Sequence, residues 1–78
     1  MSEKLSLCKQ GDTVIMEKMH GSGAFKNRLR EMGFIKGRKL DIVRYAPLHD
    51  PLEIKINDSC VSLRVEEADK IEVSIFDR

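Results

Sequence analysis

Within the nine residues Leu29-Arg30-Glu31-Met32-Gly33-Phe34-Ile35-Lys36-Gly37 the hydrophobic period of the chain changes, and that change restricts what it can fold into. Ahead of them, Phe25, Leu29 and Met32 fall at i, i+4 and i+7, the spacing of one helical face, with Lys26, Asn27, Arg30 and Glu31 on the other. Gly33 stands where a helix ends in a left-handed residue, a conformation that costs glycine little and a β-branched residue much. Phe34 and Ile35 are expected to drop into the core past that stop, and Gly37 to lead into a strand. Downstream the apolar residues recur with period 2, so the chain is one short helix joined to sheet.

The helix is expected over about residues 24–32, with Ser22 as its cap. A helix of this length is unstable alone and must be docked by its apolar stripe. Before it, Leu5 and Leu7 alternate with Lys4 and Ser6 and predict a short edge strand; Gln10-Gly11-Asp12 reads as a turn. Thr13 to Met19 is strand-like without clean alternation, the pattern of a strand with structure on both faces. After Gly37, Lys39 to Tyr45 is a strand and Ala46 to Pro51 a loop. Leu52, Ile54 and Ile56 alternate with charged or polar neighbours, as do Val61, Leu63 and Val65, then Ile71, Val73 and Ile75. Asn57-Asp58 suits a tight hairpin turn, and residues 65–69 a single helical turn. Five or six short strands with one helix among the early ones predict a small antiparallel β-barrel.

The 78 residues allow one domain, 1–78, which buries roughly 60–65% of the surface its unfolded chain exposes. Net charge is +1, which selects no polyanionic partner, but its distribution is uneven. From Lys26 to Arg44 seven basic residues face two acids; from Glu66 to Arg78 five acids face Lys70 and Arg78. Such a dipolar surface can steer a charged partner. No apolar run approaches the ~20 residues of a bilayer span, and Met1 to Lys4 is not followed by a signal-peptide core. A cytosolic protein without membrane insertion is expected. Cys8 and Cys60 form no CxxC pair and read as free thiols.

Residue types that carry chemistry are sparse. His20-Gly21-Ser22-Gly23 precedes the helix, where backbone N–H groups can hold phosphate, but it matches neither GxxxxGK[ST] nor GxGxxG, and no parallel βαβ unit supports it. Met16 and Met19 read as core fillers. His49, Asp50 and Glu53 are close enough in sequence to be weighed as ligands for a divalent cation; adjacent residues of an extended segment point apart, so they do not make a coordination sphere by themselves. No nucleophile–base pair can be placed, and no enzyme or cofactor is expected. Phe25, Phe34, Tyr45 and Phe76 are the only aromatics, with Phe25 and Phe34 committed to the core, too few for a nucleic-acid stacking platform. A protein-binding module remains, monomeric or weakly self-associating.

Three linked stretches carry a resemblance over nearly the whole chain: Arg28 to Gly37, Ala46 to Ile54, and Ser62-Leu63-Arg64 followed by Glu67-Ala68. In order and spacing they resemble the FeoA family pattern RLxxMGxxxG, APLGDPxE and LSLRxxEA. The resemblance implies an SH3-like β-barrel with an inserted helix. It also implies a cytosolic accessory role in bacterial ferrous iron uptake, through contact with the cytosolic portion of the FeoB membrane transporter and its GTPase. A related domain ends the DtxR-type repressors, which makes a small Fe²⁺-sensing domain the alternative. One position departs from the pattern: His49 stands at the usual glycine, and a position with positive φ disfavours a side chain. The expected partner surface joins the helix face, Lys26 and Arg30, to the loop residues Tyr45, Leu48, His49 and Asp50, with Leu48 at its centre.

Overall fold

The structure is a computed structural model that describes residues 2–77. The expected span 1–78 therefore includes Met1 and Arg78, which lie outside the described residues. The elements are β1 (Ser2–Lys4), a 3-10 turn (Leu5–Leu7), β2 (Thr13–Met19), α1 (Gly23–Glu31), β3 (Lys39–Tyr45), β4 (Leu52–Ile56), β5 (Ser59–Leu63), α2 (Val65–Ala68) and β6 (Ile71–Asp77). The strands make one antiparallel sheet in the order β1-β6-β2-β3-β4-β5. Among the described residues its two edges do not pair, so the sheet is open and the word barrel applies loosely. Its overall dimensions, 29 × 26 × 24 Å, are those of a sheet coiled around its own core.

The helix forms and stops for local reasons. Ser22 Oγ accepts the N–H of Phe25 at 3.1 Å, the cap expected of it. At the other end Gly33 has φ +108; its N–H donates to the Arg30 carbonyl, and the N–H of Phe34 donates back to the Leu29 carbonyl, both at 3.0 Å. That pair of bonds is a Schellman motif, and its hydrophobic contact joins Leu29 to Phe34, both fully buried. Phe34 thus enters the core as expected. Ile35 does not: its side chain is 46% exposed, because its own N–H turns back to the Gly33 carbonyl and Gly37, at φ +87, sends the chain into β3.

Bulges set which side chains face inward. In β2, Met16 pairs with Val73 and Lys18 with Glu72, so Glu17 is the extra residue. The bulge shifts the phase by one, and Met19 joins Val14 and Met16 in the core. The irregular alternation of β2 therefore comes from a bulge and not from cover on both faces. In β3 the pairs Ile42–Ile54 and Arg44–Glu53 leave Val43 as the extra residue, which turns Tyr45 toward the core and leaves Arg44 outside. Phe76 is the extra residue of a third irregularity, between the pairs Thr13–Asp77 and Val14–Ile75.

The N-terminal strand is displaced from its expected place. β1 pairs Ser2 to Lys4 with β6, and the chain then turns through Leu5–Leu7. A strand would put Leu5 and Leu7 on one face; the turn buries Leu5 completely and leaves Leu7 exposed. The single helical turn, α2, follows β5 as expected.

Candidate functional site

Three stretches far apart in the sequence meet at α2. The N–H of Arg64, just ahead of α2, donates to Glu67 Oε1 at 3.1 Å. The same carboxylate pairs through Oε2 with Arg28 of α1. The Arg64 guanidinium lies 3.3 Å from Asp50 Oδ2, while Asp50 Oδ1 accepts the N–H of Val65 at 3.2 Å. Burial works to raise the pKa of Glu67, but the hydrogen bonds from Arg28 and from the Arg64 backbone outweigh it and hold the carboxyl below its ordinary value. The chain of contacts Arg28–Glu67–Arg64–Asp50 fastens helix and loop to one point.

The loop from Ala46 to Pro51 is held at several places. Ala46 N–H donates to the Pro51 carbonyl at 2.9 Å, and His49 N–H to the Ala46 carbonyl at 2.7 Å. The Asp50–Pro51 peptide is cis. Tyr45 at its base donates its hydroxyl to the Cys8 carbonyl at 2.6 Å, with the Ser6 carbonyl at 3.1 Å. Burial, with smaller contributions from the thiol of Cys8 and the carboxylate of Asp12, raises the Tyr45 pKa above its ordinary value. His49 has φ +67, so the position where the family pattern carries glycine is indeed left-handed here. Its imidazole lies flat on the Tyr45 ring. Leu48, at the tip, is 90% exposed. The loop thus bonds at several points along its length and carries Leu48 bare at its tip.

Of the residues expected to share a surface, the structure brings Tyr45 and His49 into contact and ties Asp50, of the same loop, to Arg64 and the Val65 N–H at the start of α2. Lys26 and Arg30 lie elsewhere, on the wall of a groove of ≈ 1010 Å³ between α1, β2, β6 and β1. Sequence reading missed this groove. Its walls come from residues 2 to 74, and only the run of basic residues after Lys26 gave a local signal of it.

The candidate metal ligands do not converge. His49 is stacked on Tyr45, Asp50 is bound to Arg64 and the Val65 N–H, and Glu53 pairs with Arg44 at 3.0 Å. Among the described residues no three His, Cys, Asp or Glu side chains cluster as a metal site. These three residues therefore do not fit Fe²⁺ as they stand. Cys8 is buried and Cys60 exposed, both as free thiols. Among the described residues no helix is long and apolar enough to cross a membrane.

Comparison with known proteins agrees with this architecture. A protein-family model described as FeoA domain matches residues 3–75. The chain is 43% identical over 73 residues to an Fe(2+) transport protein A/Fe(2+) transporter FeoB fusion protein of Porphyromonas gingivalis, an alignment that covers 94% of this chain and 9% of that protein. It thus spans only a small part of that relative. The solution structure of the FeoA protein from Chlorobium tepidum superimposes with a TM-score of 0.89 at 36% identity, over 95% of this chain and 70% of that one. Stenotrophomonas maltophilia FeoA complexed with zinc, described as a prokaryotic SH3 domain protein, superimposes with a TM-score of 0.77 at 29% identity, over 95% and 89% of the two chains.

Proposed function

The chain belongs to the FeoA domain family, a family of ferrous iron transport accessories, and on that premise we propose that it is a non-enzymatic cytosolic module that docks on a FeoB-type transporter and modulates it. The observation that carries this reading is the Porphyromonas gingivalis relative, in which the two functions share one polypeptide. Fusion raises the effective concentration of two parts that work in contact, without requiring a new contact. Parts that work in contact also present a surface to one another.

The loop geometry supplies a candidate for that surface. Leu48 is exposed at the tip of a loop whose base is fixed by Tyr45 and Asp50, so an apolar anchor could enter a partner pocket with little ordering cost. Lys26 and Arg30 stand apart from this loop, on the groove wall, and we propose them as a second contact. The carboxylates with lowered pKa, Glu67 and Glu72, are engaged in structural pairs with Arg28 and His20, and we assign them no catalytic task.

The test is an amide-shift titration of the isotopically labelled chain with the soluble cytosolic portion of its FeoB-type transporter, with and without a GTP analogue. Shifts centred on residues 45–50 and on α1 are expected. Absence of shifts in both nucleotide states would refute docking on the cytosolic portion.

A further inference from the structure

The groove between α1 and the sheet has a consistent chemistry. Met16, Met19 and Phe34 form a buried apolar floor, and Ile35 stands half-exposed at its lip. Lys18, Lys26, Arg30 and Lys36 also line it, four cations drawn from β2, α1 and the connection to β3. Among the described residues none of the four is in a salt bridge; Arg30 donates only to the amide oxygen of Asn27, at 3.1 Å. The two carboxylates of the groove are already engaged. Glu17 Oε2 accepts the hydroxyl of Ser74 at 2.7 Å, and Glu72 is held by His20 and by Ser2. The groove thus carries four cations against two carboxylates around the strip of Met16, Met19, Phe34 and Ile35.

We propose that this groove binds an acidic peptide segment carrying a large apolar side chain, the apolar residue on the strip beside Ile35 and the carboxylates against Lys18, Lys26, Arg30 and Lys36. This deepens the docking function, on which it rests, by assigning the chemistry of the transporter segment that is held. Charge complementarity selects the occupant: an excess of cations over carboxylates, on a concave surface, favours an anionic partner and disfavours a basic one. The floor excludes the other polyanions. Nucleic acid is held on exposed rings between which bases stack, and the one ring here, that of Phe34, is fully buried. A flat bilayer would meet the charged rim without entering the concavity. The volume is at the upper end of the roughly 300–1,000 Å³ of small-molecule sites and suits a short stretch of chain.

The decisive experiment uses the whole chain and a synthetic capped pentapeptide of four glutamates around a central leucine. Amide shifts are expected at Lys18, Lys26, Arg30, Ile35 and Lys36, and the double variant Lys18→Glu/Lys36→Glu should weaken binding at least about tenfold. The same peptide with alanine in place of leucine should also bind more weakly. A peptide that leaves these amides unmoved overturns the proposal, as does equal binding of an oligothymidylate or of phosphatidylserine vesicles at the same residues. The transporter's cytosolic portion then separates the two readings. If it binds the wild type and the double variant equally, the groove assignment fails and docking stands. If it binds neither while the peptide binds as expected, docking on that portion fails and the groove remains an acidic-peptide site.

Discussion

The imidazole of His49 lies over the ring of Tyr45 with centroids 4.1 Å apart and planes within 3°. The two residues bracket Ala46, Pro47 and Leu48, so the stack closes the half of the loop that carries its tip. It also gives a reason for a side chain where the backbone, at φ +67, would be easiest for glycine. Histidine is among the residues that enter the left-handed region at modest cost, and the stack offsets part of that cost. Replacement by valine combines a β-branched side chain with positive φ and loses the ring. His49→Val should lower stability by about 1–2 kcal/mol, whereas His49→Gly should stay near the wild type. Urea unfolding followed by circular dichroism measures both.

Gly33 is more demanding. It has φ +108, and a Cβ there would lie 2.9 Å from Cγ2 of Ile56, a core residue of β4. Gly33→Ala therefore meets backbone strain and a steric clash together, and should cost at least about 1–3 kcal/mol. The same substitution at Gly23 meets nothing within 4 Å and no positive φ, so it should leave the midpoint unchanged or raise it. A thermal-melt comparison of the two variants checks the contrast.

The Tyr45 hydroxyl predicts an alkaline transition. Its folded-state pKa is raised from the ordinary 10.0, chiefly by burial. The folded state thus holds the proton more tightly than the unfolded chain, so this contribution is complete below pH 10 and is lost as pH rises through the folded value. Tyr45→Phe should remove this alkaline loss and cost about 1–2 kcal/mol at neutral pH, since the Cys8 carbonyl loses its donor. Denaturation midpoints between neutral and strongly alkaline pH, wild type against variant, test the sign.

At the acid end the signs reverse. The hydrogen bond from His20, then that from Ser2, lower the pKa of Glu72, and Glu67 is lowered in spite of its burial by Arg28 and the Arg64 N–H. A depressed carboxylate stabilises the fold above its ordinary value of 4.5 and loses that effect as pH falls through the folded value. Glu67→Gln should make the acid limb of the stability profile shallower. An unchanged slope would mean that the Arg28–Glu67 pair has no influence on folding.

Leu48 tests the docking surface without touching the core. At 90% exposure its replacement should leave the fold intact. Leu48→Asp should keep the wild-type melting temperature and bind the transporter's cytosolic portion at least about tenfold more weakly, the effect of removing a central apolar anchor. Calorimetry on the two proteins gives the ratio; equal affinity would take Leu48 out of the contact.

Sequence alone determined the features whose causes lie within a few residues. Ser22, the stripe Phe25–Leu29–Met32 and Gly33 specify where α1 begins, which face it buries and how it stops, because caps, helical spacing and positive φ are local properties. The bounds of β2 and β3, Thr13–Met19 and Lys39–Tyr45, were readable for the same reason. What those strands present was not. Met19 and Tyr45 face the core only because Glu17 and Val43 are bulged against β6 and β4, and a bulge is defined by pairing with residues elsewhere in the chain. Leu5 is buried and Leu7 is not because β1 must reach β6, at the other end of the sequence. The basic groove likewise gathers Lys18, Arg30 and Glu72 from three elements, and the link from Arg28 through Glu67 and Arg64 to Asp50 closes only when α1, α2 and the loop are packed. Backbone propensities act over one turn of chain, whereas register and charge contacts are energies between segments that meet only after the core has formed.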